Sequence, residues 1–129
     1  MHRRFLDVLR IQLQRVGVVD INAVQCLMLS NIGDQEINAR LLMDRGYYLG
    51  SNASYSIKLL VESGYLDQRQ AEHDRRSMLL RVSAKGRALC ERMNAAEANF
   101  ADAVRHEDLV NGIETLRRVE RVWDDFLPR

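Results

Sequence analysis

The sequence predicts a mainly helical fold carrying one small β-hairpin, an α+β arrangement of one compact domain with additional helix attached. Three observations lead there. Among 129 residues the one proline is Pro128, so almost no helical stretch is interrupted. Apolar residues recur at spacings of three and four over most of the chain. The period changes between Tyr65 and Val82, where two short runs of strand-forming residues flank a polar segment.

The elements follow in order. Phe5, Leu9, Leu13 and Val16 mark a first helix from Arg3 to Val16, and Gly17 ends it. Asp20 is the expected N-cap of a second helix reaching about Asn31, broken by Gly33 and Asp34. A short third helix, about Glu36 to Arg45, is expected to bury Ile37, Leu41 and Leu42. Two glycines bracket two aromatics in Gly46-Tyr47-Tyr48-Leu49-Gly50. Ser51 can then cap a fourth helix, about 51–63, whose buried side is Ala53, Ile57, Leu60 and Val61. Gly64 stands where a C-terminal cap belongs.

Tyr65–Arg69 and Met78–Val82 read as two strands around the charged loop Gln70–Ser77, a hairpin spanning about 65–82. Ser83 caps a long helix with an apolar seam of Leu89, Met93, Ala96, Phe100 and Ala103. After a break near His106-Glu107-Asp108 the seam resumes as Leu109, Ile113, Leu116, Trp123 and Leu127, with Glu120 interrupting it. Such a seam is narrower than a core face and suits helix-on-helix packing. Little chain is left to cover it in one copy, so a second copy is expected there, joined by the first helix through Phe5 and Leu9.

The net charge of +1 hides a polarised distribution. Residues 51–87 carry seven Lys and Arg against four acids, whereas residues 88–129 carry six against nine. A basic middle suits a polyanion. Cys26 and Cys90 lie in apolar helical stretches without metal-ligand spacing and read as small buried hydrophobes. His2, His73 and His106 are scattered, so no metal site and no cofactor is expected. No Ser-His-Asp set or carboxylate pair suggests an enzyme. The N-terminal stretch is interrupted by Asp7, Arg10, Gln12 and Gln14, unlike a signal peptide, and no run is long enough to span a bilayer, so a cytoplasmic protein is expected.

Three helices of about ten residues joined by tight turns are the ingredients of a helix-turn-helix, and a hairpin directly after the last of them is a wing. This order of elements resembles the MarR family of bacterial regulators. The sharpest stretch runs through Gly64-Tyr65-Leu66, Arg69, Asp74-Arg75-Arg76-Ser77 and Val82-Ser83-Ala84-Lys85-Gly86. The family pattern there is a glycine with a hydrophobic residue, an arginine, an Asp-x-Arg wing tip and a strand closing in Leu-Thr-x-x-Gly; Val82-Ser83 replaces the Leu-Thr pair. The turn from Arg45 to Asn52 looks like that of a bacterial subgroup. Two features depart from the pattern. The first helix starts almost at Met1, so the N-terminal arm is expected to be short or missing. Neither cysteine matches the N-terminal sensor cysteine of peroxide-responsive members.

The resemblance implies three regions: residues 1–18 for dimerisation, 19–87 for a winged helix-turn-helix DNA-binding domain and 83–129 for C-terminal dimerisation helices. The fourth helix becomes the recognition helix, offering Ser51, Asn52, Ser54, Tyr55 and Lys58. Asn pairs bidentately with adenine, Ser bonds to several base edges, and Lys suits phosphate. Short polar side chains dominate where Glu and Lys would better stabilise a helix, though an ordinary solvated face has the same composition. Asp74 is expected to hold the Arg76 guanidinium extended for a narrow minor groove, with Arg75 beside it on phosphate. The plain alternative is a solvated salt bridge worth under about 1 kcal/mol. Tyr47 and Tyr48 fit either an effector pocket, as the resemblance implies, or core and interface packing.

The combined expectation is a homodimeric, sequence-specific regulator of transcription on double-stranded DNA, a repressor rather than an activator. It would read a pseudo-palindromic operator and be released by a small-molecule effector. The other reading is a winged-helix module that binds a protein partner.

Overall fold

The computed structural model describes residues 2–46 and 50–126; the side chains from 45 to 51 fall outside it. The elements are α1 (His2–Arg15), α2 (Ala23–Ile32), β1 (Ile37–Asn38), α3 (Ala39–Gly46), α4 (Gly50–Glu62), β2 (Leu66–Ala71), β3 (Asp74–Val82), α5 (Ala84–Ala101) and α6 (His106–Asp124). The chain divides into two units, Met1–Asn94 and Ala95–Arg129. The mainly helical fold with a small antiparallel sheet is the one the periodicity predicts.

In the first unit α2 is the central helix. Its sequence is apolar almost all round, and Cys26, Met28, Leu29 and Ile32 are all buried. Leu9 and Leu13 of α1 pack into the same core, as do Leu42 of α3, Ala53, Ile57 and Leu60 of α4, and Leu89 and Met93 of α5. Leu29, Leu42 and Leu60 are completely inaccessible, and each such side chain contributes roughly 1.5–3 kcal/mol on burial. Leu41, expected inside, is exposed: Leu42 alone of that pair faces the core.

Two element starts differ from expectation. Asn22, not Asp20, caps α2: its Oδ1 accepts from the Gln25 amide at 2.9 Å while the Gln25 Oε1 accepts from the Asn22 amide at 2.9 Å. This reciprocal box satisfies two donors at the helix start, and it lets buried Ile21 turn inward first. The chain expected to begin the third helix at Glu36 instead forms β1. Ile37 pairs with Leu80 and Asn38 with Leu79, making a three-stranded sheet of order β1-β3-β2. The Asn38 Oδ1 accepts from the Arg40 amide at 2.8 Å and opens α3 at Ala39.

The passage from α4 to β2 is tightly determined. Gly64 has φ 80°, and the amides of Gly64 and Tyr65 donate to the Val61 and Leu60 carbonyls at 3.0 and 2.9 Å. That is a Schellman turn, with Tyr65 and Leu60 both buried beneath it. The Ser83 hydroxyl caps α5 by accepting from the Gly86 amide at 3.1 Å, as the sequence predicts, and donates to the Gly64 carbonyl. A Cβ at Gly86 would overlap the Tyr65 carbonyl oxygen and Val82 Cγ1, so no larger residue fits there without a backbone shift. Arg92 of α5 donates to the Val16 carbonyl at 2.8 Å and ties α5 to the end of α1.

In the second unit the end of α5 and the whole of α6 expose their apolar residues. None of the described residues of α6 is buried. An Arg105–Asp108 ion pair, with bonds of 2.8 and 3.0 Å, stands at the start of α6.

Candidate nucleic-acid interface

The outward side of α4 is set by what the inward side buries. Ala53, Ile57 and Leu60 recur at the helical repeat and face the core, so the residues half a turn away face solvent. Asn52, Ser54, Tyr55 and Lys58 are all exposed, and Tyr55, opposite the core stripe, stands 62% open. Lys58 lies 3.8 Å from Glu62 one turn on, a long pair between exposed side chains that yields readily to a stronger anion. Ser51 belongs to α4 by its backbone, but its side chain lies outside the described residues.

The wing is longer and better ordered than a charged loop. β2 and β3 are separated by Glu72 and His73 alone, and regular pairing runs from Leu66–Val82 to Gln70–Met78. Beyond that the register breaks, Ala71 pairing with Asp74, so Arg75, Arg76 and Ser77 form a bulge without regular partners on β2. The Asp74 carboxylate supplies partners instead. Its Oδ1 accepts from the Arg76 amide at 2.9 Å and its Oδ2 from the Ser77 hydroxyl at 2.8 Å. These bonds hold the carboxyl below the usual carboxylate range. Asp74 thus acts on Arg76 through the backbone rather than by gripping its guanidinium, because the bulge leaves that amide without a ladder partner. Arg75 and Arg76 project from the bulge as exposed cations.

Two polar clusters, neither apparent in the sequence pattern, brace these elements. At the base of the wing Arg69 of β2 binds Glu36 through both nitrogens, Nε to Oε2 at 2.9 Å and Nη2 to Oε1 at 2.6 Å. This fork lowers the Glu36 pKa, led by the hydrogen bonds from Arg69, and ties the hairpin to the segment before β1. At the end of α4, the Tyr65 hydroxyl donates to Asp20 Oδ1 at 2.9 Å. Lys85 Nζ bonds the Ser63 carbonyl at 2.7 Å, lies 3.5 Å from Asp20 Oδ2 and sits 4.3 Å from the centre of the Tyr65 ring. Burial, then the bond to Asp20, pushes the Tyr65 phenol up to about 12. Partial burial opposes ionisation of Asp20, but Tyr65, its own amide and Lys85 outweigh it and lower its pKa. Partners 20 to 65 residues apart leave no local signal to find them by.

The residues expected at a dimer seam separate into two groups. Leu9, Leu89 and Met93 are 3%, 4% and 1% exposed in the core of the first unit and have no surface left for a second chain. Their helical spacing is the same for a core face as for a seam, which is why the pattern misassigns them. Phe5, Phe100, Leu109, Ile113, Leu116 and Trp123 are exposed. Leu127, and with it Tyr47 and Tyr48 of the expected effector pocket, lie outside the described residues. Among the described residues no group of His, Cys, Asp and Glu is arranged to hold a metal ion. No described helix is long and apolar enough to cross a membrane.

Residues 21–86 match a family described as a winged helix DNA-binding domain. The chain is 40% identical over 126 residues to the exopolysaccharide II synthesis transcriptional activator ExpG of Rhizobium meliloti (strain 1021); the alignment covers 94% of this chain and 65% of that protein. Among solved structures it is similar to Streptococcus pneumoniae FabT in complex with DNA, with TM-score 0.76 and 18% identity over 98% of this chain and 92% of that one. It is also similar to AbsC, a MarR family transcriptional regulator from Streptomyces coelicolor, with TM-score 0.74 and 17% identity over 96% and 87%. At such identities the two structures speak for the fold.

Proposed function

The chain belongs to the winged helix DNA-binding domain family and has the fold of the MarR regulators, and from that premise we propose that it regulates transcription by binding double-stranded DNA as a homodimer. One observation carries the reading. A helix with an outward face of Asn52, Ser54, Tyr55 and Lys58 leads, through the Gly64 turn, into a hairpin whose bulged tip presents Arg75 and Arg76. The helix enters a major groove with Asn52 as base reader and Lys58 on phosphate, and the wing takes Arg76 to the adjoining minor groove. The first unit, residues 1–94, carries 14 Lys and Arg against 10 acids, which supports attraction to a polyanion. Two-fold symmetry then requires a pseudo-palindromic operator with half-sites about 10 base pairs apart.

Dimerisation runs through α6 and the exposed end of α5. The absence of any buried residue along the described α6, beside exposed Leu109, Ile113, Leu116 and Trp123, supports this. The direction of regulation follows the relative: ExpG is an activator, which supports activation here over the repression the resemblance implies.

The test is binding to the region upstream of the chain's own gene against an unrelated duplex of equal length, followed by fluorescence anisotropy over a range of salt. Affinity is expected to fall steeply as salt rises, through counterion release. Asn52→Ala should narrow the ratio between the two duplexes by about 1–3 kcal/mol, roughly 5- to 150-fold, more than it weakens binding to the unrelated one. Equal losses on both duplexes move Asn52 from reader to scaffold. No binding at low ionic strength leaves the protein-partner reading in possession.

A further inference from the structure

We propose that Arg40, at the start of α3, binds the DNA phosphodiester backbone on one side of a strand whose other side is held by Arg76 from the minor groove, so that the two form a clamp; this contact rests on the DNA-binding reading above. The local geometry begins with β1. It runs antiparallel to β3, with Ile37 opposite Leu80 and Asn38 opposite Leu79, so the chain leaving Asn38 advances along β3 toward the wing tip. Asn38 then turns the backbone into α3 by accepting from the Arg40 amide, which fixes Arg40 in the first helical turn beside the bulge.

Between the two segments lies a surface groove of about 420 Å³. Asn38, Arg40 and Met43 form one wall and Arg76, Ser77 and Met78 the other. Arg40 and Arg76 are both exposed, and neither guanidinium has an acidic partner among the described residues. The one carboxylate lining the groove, Asp74, has both oxygens engaged, by the Arg76 amide and the Ser77 hydroxyl. The groove therefore presents two guanidinium forks against one carboxylate whose oxygens are already engaged, so that donors and positive charge are in excess. That donor set suits a phosphate, which takes paired N–H bonds from guanidinium.

Duplex backbone is the occupant that the placement favours. In a helix-turn-helix the helix before the recognition helix crosses the backbone, and α3 is that helix. A strand passing from the major groove read by α4 to the minor groove reached by the wing meets Arg40 on one side and Arg76 on the other. A phosphate contact positions without reading sequence, so Arg40 adds affinity and no discrimination.

The experiment compares wild type, Arg40→Ala, Arg40→Lys and Arg76→Ala, each at unchanged melting temperature, on the upstream duplex and on an unrelated duplex across a salt series. Arg40→Ala should weaken both duplexes by one common factor, about three- to tenfold, and make the slope of log affinity on log salt shallower by about 1. Arg40→Lys should keep the slope and lose part of the affinity, because the charge stays and the fork goes. Replacing single phosphates by neutral methylphosphonates should identify one position that weakens wild type but not Arg40→Ala. Normal affinity and slope in Arg40→Ala, with Arg76→Ala weakened, overturns the clamp alone. A loss confined to the upstream duplex also overturns it, by making Arg40 a base reader. A wild-type chain that ignores both duplexes overturns the DNA-binding reading and the clamp together.

Discussion

Asp74 shows how one side chain completes the bonding of its neighbours. Its carboxylate fills the donors of a bulge that the sheet leaves unsatisfied, so the cost of an irregular strand is offset locally. Its removal makes a prediction in which electrostatics and geometry have opposite signs. Asp74→Ala deletes a negative charge beside the proposed path of the DNA and on charge alone would tighten binding. If the bulge aims Arg76, affinity for the upstream duplex instead falls by about tenfold, with little change in melting temperature. Anisotropy decides, and tighter binding by Asp74→Ala would sink the positioning role. The Asp-x-Arg spacing was legible in the sequence, but not that the acid would hold a backbone amide. That depends on a register break which no local pattern announces.

At the level of elements, the end of α4 is where the fold is most constrained. The Schellman turn, the close approach at Gly86 and the Asp20–Tyr65–Lys85 cluster meet there, binding the α1–α2 connection, α4 and the start of α5 together. The cluster should be visible in alkali. Tyr65 is an acid whose pKa is higher folded, about 12, than its ordinary value of 10.0. The unfolded chain therefore loses the proton first, and the stability held by the neutral phenol declines as pH rises from about 10 to about 12. Tyr65→Phe should lose stability near neutral pH through the missing bond to Asp20 and show a flatter decline in that alkaline window. A wild-type phenolate absorbance titration complete by about pH 11 would contradict the arrangement. The glycine and the serine that shape this region were legible, because capping is local. The ties to Asp20 and Lys85 were not, because their partners are distant in sequence.

For the whole molecule, the balance of apolar surface decides the assembly. Val110, Val119 and Val122 join Leu109, Ile113, Leu116 and Trp123 in exposure, so the apolar face of α6 is wider than the seam expected from spacing, and Glu120 does not close it. A face of that kind costs free energy in water and is covered when a partner is available. Replacing Ile113 and Leu116 together by Asp should shift elution on a sizing column from dimer to monomer mass and abolish dependence of the melting temperature on concentration. Half-site affinity should survive in that variant while cooperative binding to the full operator is lost. Wild type eluting as a monomer at micromolar concentration overturns the assembly.

Periodicity by itself determined the helices, the change of period determined the hairpin, and glycine and serine at fixed offsets determined how α4 ends and α5 begins. Each of these rests on interactions within a few residues of chain. Tertiary structure alone decided that Ile37 and Asn38 are a strand, that Asn22 caps α2 while Asp20 turns to Tyr65, that Leu89 and Met93 are core, and that Arg40 stands across a groove from Arg76. A two-residue strand has no period of its own. A core face and a seam share one spacing, and only the packing of distant segments decides which of them is covered.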